Sequence, residues 1–166
     1  REKTGARITS QFKKSLKSAI SEKDVEHAYW EMLRSYYPED ILDSRYNTDG
    51  VLETMFFKLL MEVKYDKCLL SRKDLCSILI QVLYYIKIFE LNNESKPNLI
   101  LVGDKDECFI IHSNHLFPYL DEDIDWSIAP SSAAEANPQL VLKLEKDNNI
   151  KPFIFSIAKS FNCNDV

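Results

Sequence analysis

Tyr46-Asn47-Thr48-Asp49-Gly50, followed by Leu60-Met61-Glu62-Val63-Lys64-Tyr65, is the stretch on which the reading of this chain turns. The first piece is turn chemistry, because Asn, Asp and Gly supply the backbone conformations and local hydrogen bonds that reverse a chain. The second is an apolar run interrupted at alternate positions by an acid and a lysine. Leu59 to Tyr65 therefore reads as a β-strand, with Glu62 and Lys64 projecting to one face and Met61 and Val63 to the other. The apolar face is expected to join the core and the polar face to line a cleft. Val51 to Phe57, just upstream, fits a strand or a helical turn.

Working outward, Lys73 to Phe89 carries a broad apolar stripe at helical spacing and places Gln81 and Tyr85 one turn apart on one face. Upstream, Ser21 and Asp24 read as a helix start. Val25, Ala28, Tyr29, Met32, Leu33 and Tyr36 form the stripe of that helix, which should stop before Pro38. Residues 8–18 read as a short helix or a flexible basic arm, and residues 40–46 as a connection entering the first strand. Downstream, residues 98–102 and 107–113 make two apolar runs around Gly103-Asp104-Lys105-Asp106, a hairpin pattern. Residues 118–138 read as a surface loop, Leu140 to Leu144 as a further strand and Phe153 to Ala158 as a closing helix. The order predicts an α/β fold, a mixed β-sheet flanked by helices with polar residues gathered at one edge. A basic segment over 1–20 precedes a main domain over 21–166.

Composition narrows the functions open to such a fold. At 166 residues and 45% hydrophobic the chain has ample core for one domain. Its three glycines, Gly5, Gly50 and Gly103, form no phosphate-cradling loop. Cys68, Cys76, Cys108 and Cys163 show no C-x-x-C pair, which fits free thiols in a reducing, cytoplasmic setting and argues against zinc at His112 and His115. No apolar run is long enough to span a bilayer, and the basic N-terminal stretch lacks the apolar core of a secretory signal. A chain that opens on Arg1 is expected to be part of a longer polypeptide. The net charge of −5 argues against a stand-alone nucleic-acid binder. The charge is uneven: Arg1, Lys3, Arg7, Lys13, Lys14 and Lys17 face a single acid over residues 1–17, whereas Asp121, Glu122, Asp123 and Asp125 crowd a later loop. An acidic domain can act on a polyanion when a metal neutralises its site.

Asp49 and Glu62 are the candidate ligands of such a metal, joined by the backbone carbonyl of Val63. Hard oxygen donors favour Mg2+. Phosphodiester hydrolysis needs an activated water and relief of negative charge, and a carboxylate-bound cation supplies both. Lys64 beside it would orient the water or offset developing charge. The same residues also fit a turn-forming Asp49 and an ordinary ion pair on a solvated strand face. Lys87, the basic residues 1–17 and the aromatics Tyr84, Phe117 and Tyr119 are weaker candidates for nucleic-acid contact.

An upstream turn acid, an E-x-K on a hydrophobic strand and a helical Gln81-x-x-x-Tyr85 together resemble the PD-(D/E)xK nuclease superfamily, of restriction-endonuclease-like fold. The closest likeness is to the branch with a helical Q-x-x-x-Y motif, seen in RecB-type nucleases and in nuclease domains of type I and type IIG restriction enzymes. The resemblance spans roughly residues 22–115, with Thr48 standing where the family often has proline. It implies Asp49 and Glu62-Val63-Lys64 as the Mg2+ site (Mn2+ as a substitute), with Gln81 and Tyr85 contacting DNA or bracing the site. It further implies a helical glutamate, Glu26 with Glu22 as its rival, completing the site. The expected activity is endonucleolytic cutting of double-stranded DNA. The expected setting is a restriction-modification polypeptide that also carries methyltransferase and target-recognition domains. The alternative is a non-catalytic DNA-positioning or protein-contact module on the same scaffold.

Overall fold

The computed structural model describes the backbone of residues 2–157 and the side chains of residues 4–157, so Arg1, the side chain of Lys3, Ala158 and Cys163 lie outside the described residues. Two helices come first, α1 (Glu2–Ser18) and α2 (Glu22–Tyr36). The basic N-terminal stretch is thus helical, and it is seated by Phe12 and Leu16, which are buried. Ser21 caps α2 by accepting from the Asp24 amide at 3.2 Å, while Asp24 accepts from the Ile20 amide at 3.0 Å. This reciprocal pair satisfies donors that the first helical turn leaves orphaned. Val25, Ala28, Tyr29 and Leu33 are the buried side of α2, and the helix ends two residues before Pro38.

Among the described residues six strands form one sheet in sequence order, β1 (Ile41–Asp43), β2 (Gly50–Glu53), β3 (Lys58–Val63), β4 (Leu99–Gly103), β5 (Glu107–His112) and β6 (Phe153–Ser156). All neighbours are antiparallel except β3 and β4, which run parallel because helix α3 (Arg72–Leu91) crosses over between them. The expected connection over 40–46 contains β1 itself, and Val51 to Phe57 divides into β2 and a turn in which Thr54 Oγ1 accepts from the Phe56 and Phe57 amides. Strand β3 is buried along its whole length. Its alternation holds: Leu60 joins the core under α3, while Met61 and Val63 join the core under α1 and α2. The sheet is therefore covered on both faces.

The C-terminal third corrects three expectations. Residues 138–145 are helix α5, with Pro138 at its first turn and Leu140, Val141 and Leu144 buried at helical spacing. Residues 153–156 are a strand, pairing with β5, and not a closing helix. The segment 118–138 is no solvated loop: it holds 3-10 turns and helix α4 (Ala133–Ala136), and buries Tyr119, Leu120 and Ala133 against the α3 layer. Among the described residues no helix is long and apolar enough to cross a membrane.

Candidate active site

Asp49, Glu62 and Lys64 meet at the end of the sheet where β3 and β4 finish and β2 begins. Register places them there. Gly50 is opposite Met61 and Val63 is opposite Gly103, so the residue entering β2 lies beside the end of β3. The contact is direct, since Asp49 Oδ2 accepts from the Val63 amide at 2.7 Å. Glu62 is 3% exposed. Its Oε1 lies 3.2 Å from Lys64 Nζ, which also donates to Gln81 Oε1 at 2.8 Å. With its oxygen so engaged, Gln81 keeps its NH2 as the donor end. One turn further along α3, the Tyr85 hydroxyl donates to the Asn47 carbonyl at 3.3 Å, tying the helix to the turn that carries Asp49.

Burial first, and the neighbouring Asp49 second, push the Glu62 carboxyl up to about 8, against the opposing influence of Lys64. At neutral pH and without a metal ion, that carboxyl is largely protonated even with Lys64 beside it. The Lys64 contact is then mainly an ammonium hydrogen bond to a neutral acid, and becomes a full ion pair on deprotonation. Asp49 is also raised, by burial and by the charges of Glu26 and Glu22, while its bond from the Val63 amide acts the other way. The Tyr85 hydroxyl is pushed up to about 12 by burial and by the two acids. Negative charge is thus costly here unless a positive charge compensates it.

Glu26 stands further back. It is on α2, 3.4 Å from Lys23, and reaches the pair through its field on Asp49. Among the described residues no group of three or more His, Cys, Asp or Glu is placed to hold a metal ion. The charge of Asp49 acts on Glu62, and Val63, whose amide Asp49 holds, lies between Glu62 and Lys64 in the chain. Tyr84, one of the weaker candidates, donates to the Asp125 carbonyl at 2.7 Å and packs on Trp126, while Tyr119 bonds Asp147. Lys87 pairs with Glu90 at 2.8 Å.

The turn that delivers Asp49 is held by residues that the sequence reading missed. Tyr46 and Asn47 both adopt left-handed backbone, at φ 58° and 60°. For a tyrosine this conformation is unfavourable and persists only where surroundings enforce it. Glu94, just beyond α3, enforces it by accepting from the Tyr46 hydroxyl at 2.9 Å, Arg45 at 3.1 Å and Lys58 at 2.8 Å. Arg45 also pairs with Asp43 at 2.8 Å and Glu53 at 3.1 Å. From the other layer, the Trp30 indole N–H donates to the Asp49 carbonyl at 2.6 Å. A lysine opening an otherwise apolar strand, Lys58, was the one sequence signal of this network. No family model, curated protein or solved structure matches the chain.

Proposed function

We propose that the chain is a Mg2+-dependent DNA endonuclease domain of restriction-endonuclease-like, PD-(D/E)xK type. In this reading it works within a restriction-modification polypeptide that also carries methyltransferase and target-recognition domains. The observation that carries the reading is the buried Glu62, set beside Asp49 and against Lys64 at one end of the sheet. Such a carboxyl is poorly stable as an anion until a cation joins it. One oxygen of each acid is engaged by the protein, Glu62 Oε1 by Lys64 and Asp49 Oδ2 by the Val63 amide. The other oxygen of each, with the Val63 carbonyl, would hold Mg2+ or Mn2+. Bound there, the ion supplies a more acidic water and offsets charge on the scissile phosphate.

The chain's own groups do the rest. Lys64 is fixed by Glu62 and Gln81, so its ammonium is oriented before substrate arrives and can donate to a phosphate oxygen or to the attacking water. The Gln81 NH2 offers a second donor to the backbone of double-stranded DNA. Tyr85 braces the Asp49 turn. Glu26 adds negative field behind Asp49 and so strengthens cation binding.

The test is cutting of supercoiled plasmid by the purified chain with Mg2+ or Mn2+. Glu62→Gln and Lys64→Ala should each lower the rate by about 100-fold or more while circular dichroism stays unchanged. Equal cutting by wild type and both variants would sink the assignment. The non-catalytic alternative predicts no cutting by wild type with either metal.

A further inference from the structure

Helix α1 is basic on the side it turns to solvent. From Thr4 to Ser18 it holds Arg7, Lys13, Lys14 and Lys17 and no acid, on a chain whose net charge is −5. Arg7, Lys14 and Lys17 are exposed, and spacings of seven and three put them along one face of a helix. Among the described residues none of the three forms an ion pair, whereas Lys58, Lys64, Lys87, Lys96 and Lys143 all do. The row spans about 15 Å at 1.5 Å per residue.

Its C-terminal end lies at the end of the sheet that carries the candidate site, on the opposite face from Glu62 and Lys64. Lys105, on the β4–β5 hairpin, donates to the Ala19 carbonyl at 2.9 Å just past α1, and its ammonium lies 6.0 Å from the centre of the Tyr65 ring. Tyr65 follows Lys64 in the chain and packs on the α1–α2 face, while Lys64 turns to α3. Lys13, Lys17 and Lys105 also line a shared groove of about 310 Å3, together with one acid, Asp106.

We infer that this outward face of α1 is a docking surface for the phosphate backbone of duplex DNA, holding the duplex beside the end of the sheet that carries Asp49, Glu62 and Lys64. The inference rests on the DNA-directed reading above. Duplex DNA presents a charge about every 3.4 Å on each strand, a regular polyanion that a row of fixed cations can follow. A membrane surface fits less well, because a basic amphipathic helix binds lipid through its apolar face. In α1 that face is spent inward, with Phe12 and Leu16 buried and the Phe12 ring 4.9 Å from that of Tyr29.

The experiment is fluorescence anisotropy of a labelled duplex of about 20 base pairs with the full chain in EDTA, over roughly 50–200 mM salt. EDTA makes binding independent of metal and of cutting. The variant is the triple Arg7→Glu, Lys14→Glu, Lys17→Glu. Its control is Lys73→Glu, Lys146→Glu, Lys151→Glu, an equal charge change at exposed sites outside both α1 and the residues assigned to the candidate site. The α1 variant should bind at least about tenfold more weakly, with a salt slope lower by about 2–3, while the control stays within about threefold of wild type. Circular dichroism checks that both variants are folded, and single Lys14→Gln and Lys17→Gln variants should show smaller losses in the same direction. No binding by wild type, an unchanged α1 variant, equal losses in both triples, or wild type that prefers anionic phospholipid vesicles over the duplex would each overturn the docking surface. Wild type that binds through α1 yet never cuts plasmid would overturn the endonuclease reading alone.

Discussion

Glu62 is a carboxyl group kept where its charge is unwelcome, and the consequence for stability can be measured. Its folded value, about 8, lies above the ordinary 4.5, so between those values the folded chain holds a proton that the unfolded chain has released. Stability of the metal-free protein must then fall as pH rises through that window. Glu62→Gln, which keeps the shape without the charge, should remove this slope. At pH 8 and above it should exceed wild type by roughly 3–5 kcal/mol in urea unfolding, with little difference near pH 4. A wild type whose metal-free stability is flat from pH 5 to about 8 would contradict this origin of the effect. The residues most legible in the sequence were those whose placement depends on local periodicity alone. Alternation on β3 put Glu62 and Lys64 on one face, and a four-residue spacing put Gln81 and Tyr85 on one helical face. Trp30, Arg45 and Glu94 were illegible, because each acts through a partner distant in sequence.

Among the elements, the packing of α2 on the sheet depends on a missing side chain. A Cβ built at Gly103 would sit 2.2 Å from Tyr29 Cζ and 2.3 Å from its hydroxyl oxygen. Tyr29 is 1% exposed and its hydroxyl donates to the Asp104 carbonyl at 2.9 Å, so the ring has nowhere to retreat. Gly103→Ala should therefore destabilise by about 2–4 kcal/mol in urea unfolding, at the upper end of overpacking costs, and Tyr29→Phe should relieve little of it. A loss below about 0.5 kcal/mol would mean that α2 shifts freely. Short apolar elements were the least legible part of the fold. Leu140 to Leu144 and Phe153 to Ile157 are both brief apolar runs, and such runs do not reveal their period. Pro138 behind Asn137 favours a helix start, a cue the strand reading of Leu140 to Leu144 left unused. For residues 153–156 the deciding factor was the free edge of β5, which no local pattern announces.

At the scale of the whole molecule, one ionic hub locks the sheet edge to the end of α3. Lys58, with 8% of its side chain exposed, depends on Glu94 at 2.8 Å and on the Ser95 carbonyl at 2.7 Å, with Glu53 more distant at 3.8 Å. Removing one partner of a buried pair strands the other charge. Glu94→Ala should cost about 2–4 kcal/mol, read by urea unfolding, and should also slow plasmid cutting by loosening the Tyr46–Asn47 turn ahead of Asp49. Glu94→Gln, which can still accept from Tyr46, should lose less of both. Helix, strands, helix, strands was legible as an order because long periodic segments announce themselves. The division into two cores on opposite faces of one sheet was not legible, because the alternation on β3 pointed to one core and a polar cleft, whereas Leu60 on the Glu62 face joins a second core. The bare Cα of Gly103 reaches beyond packing. By letting Tyr29 sink flush onto β4, it sets how deeply the acid-bearing start of α2 settles toward the sheet, and Glu22 and Glu26 ride with it. The absence of one methyl on β4 thus bears on the seating of the same helix whose acids raise the Asp49 carboxyl.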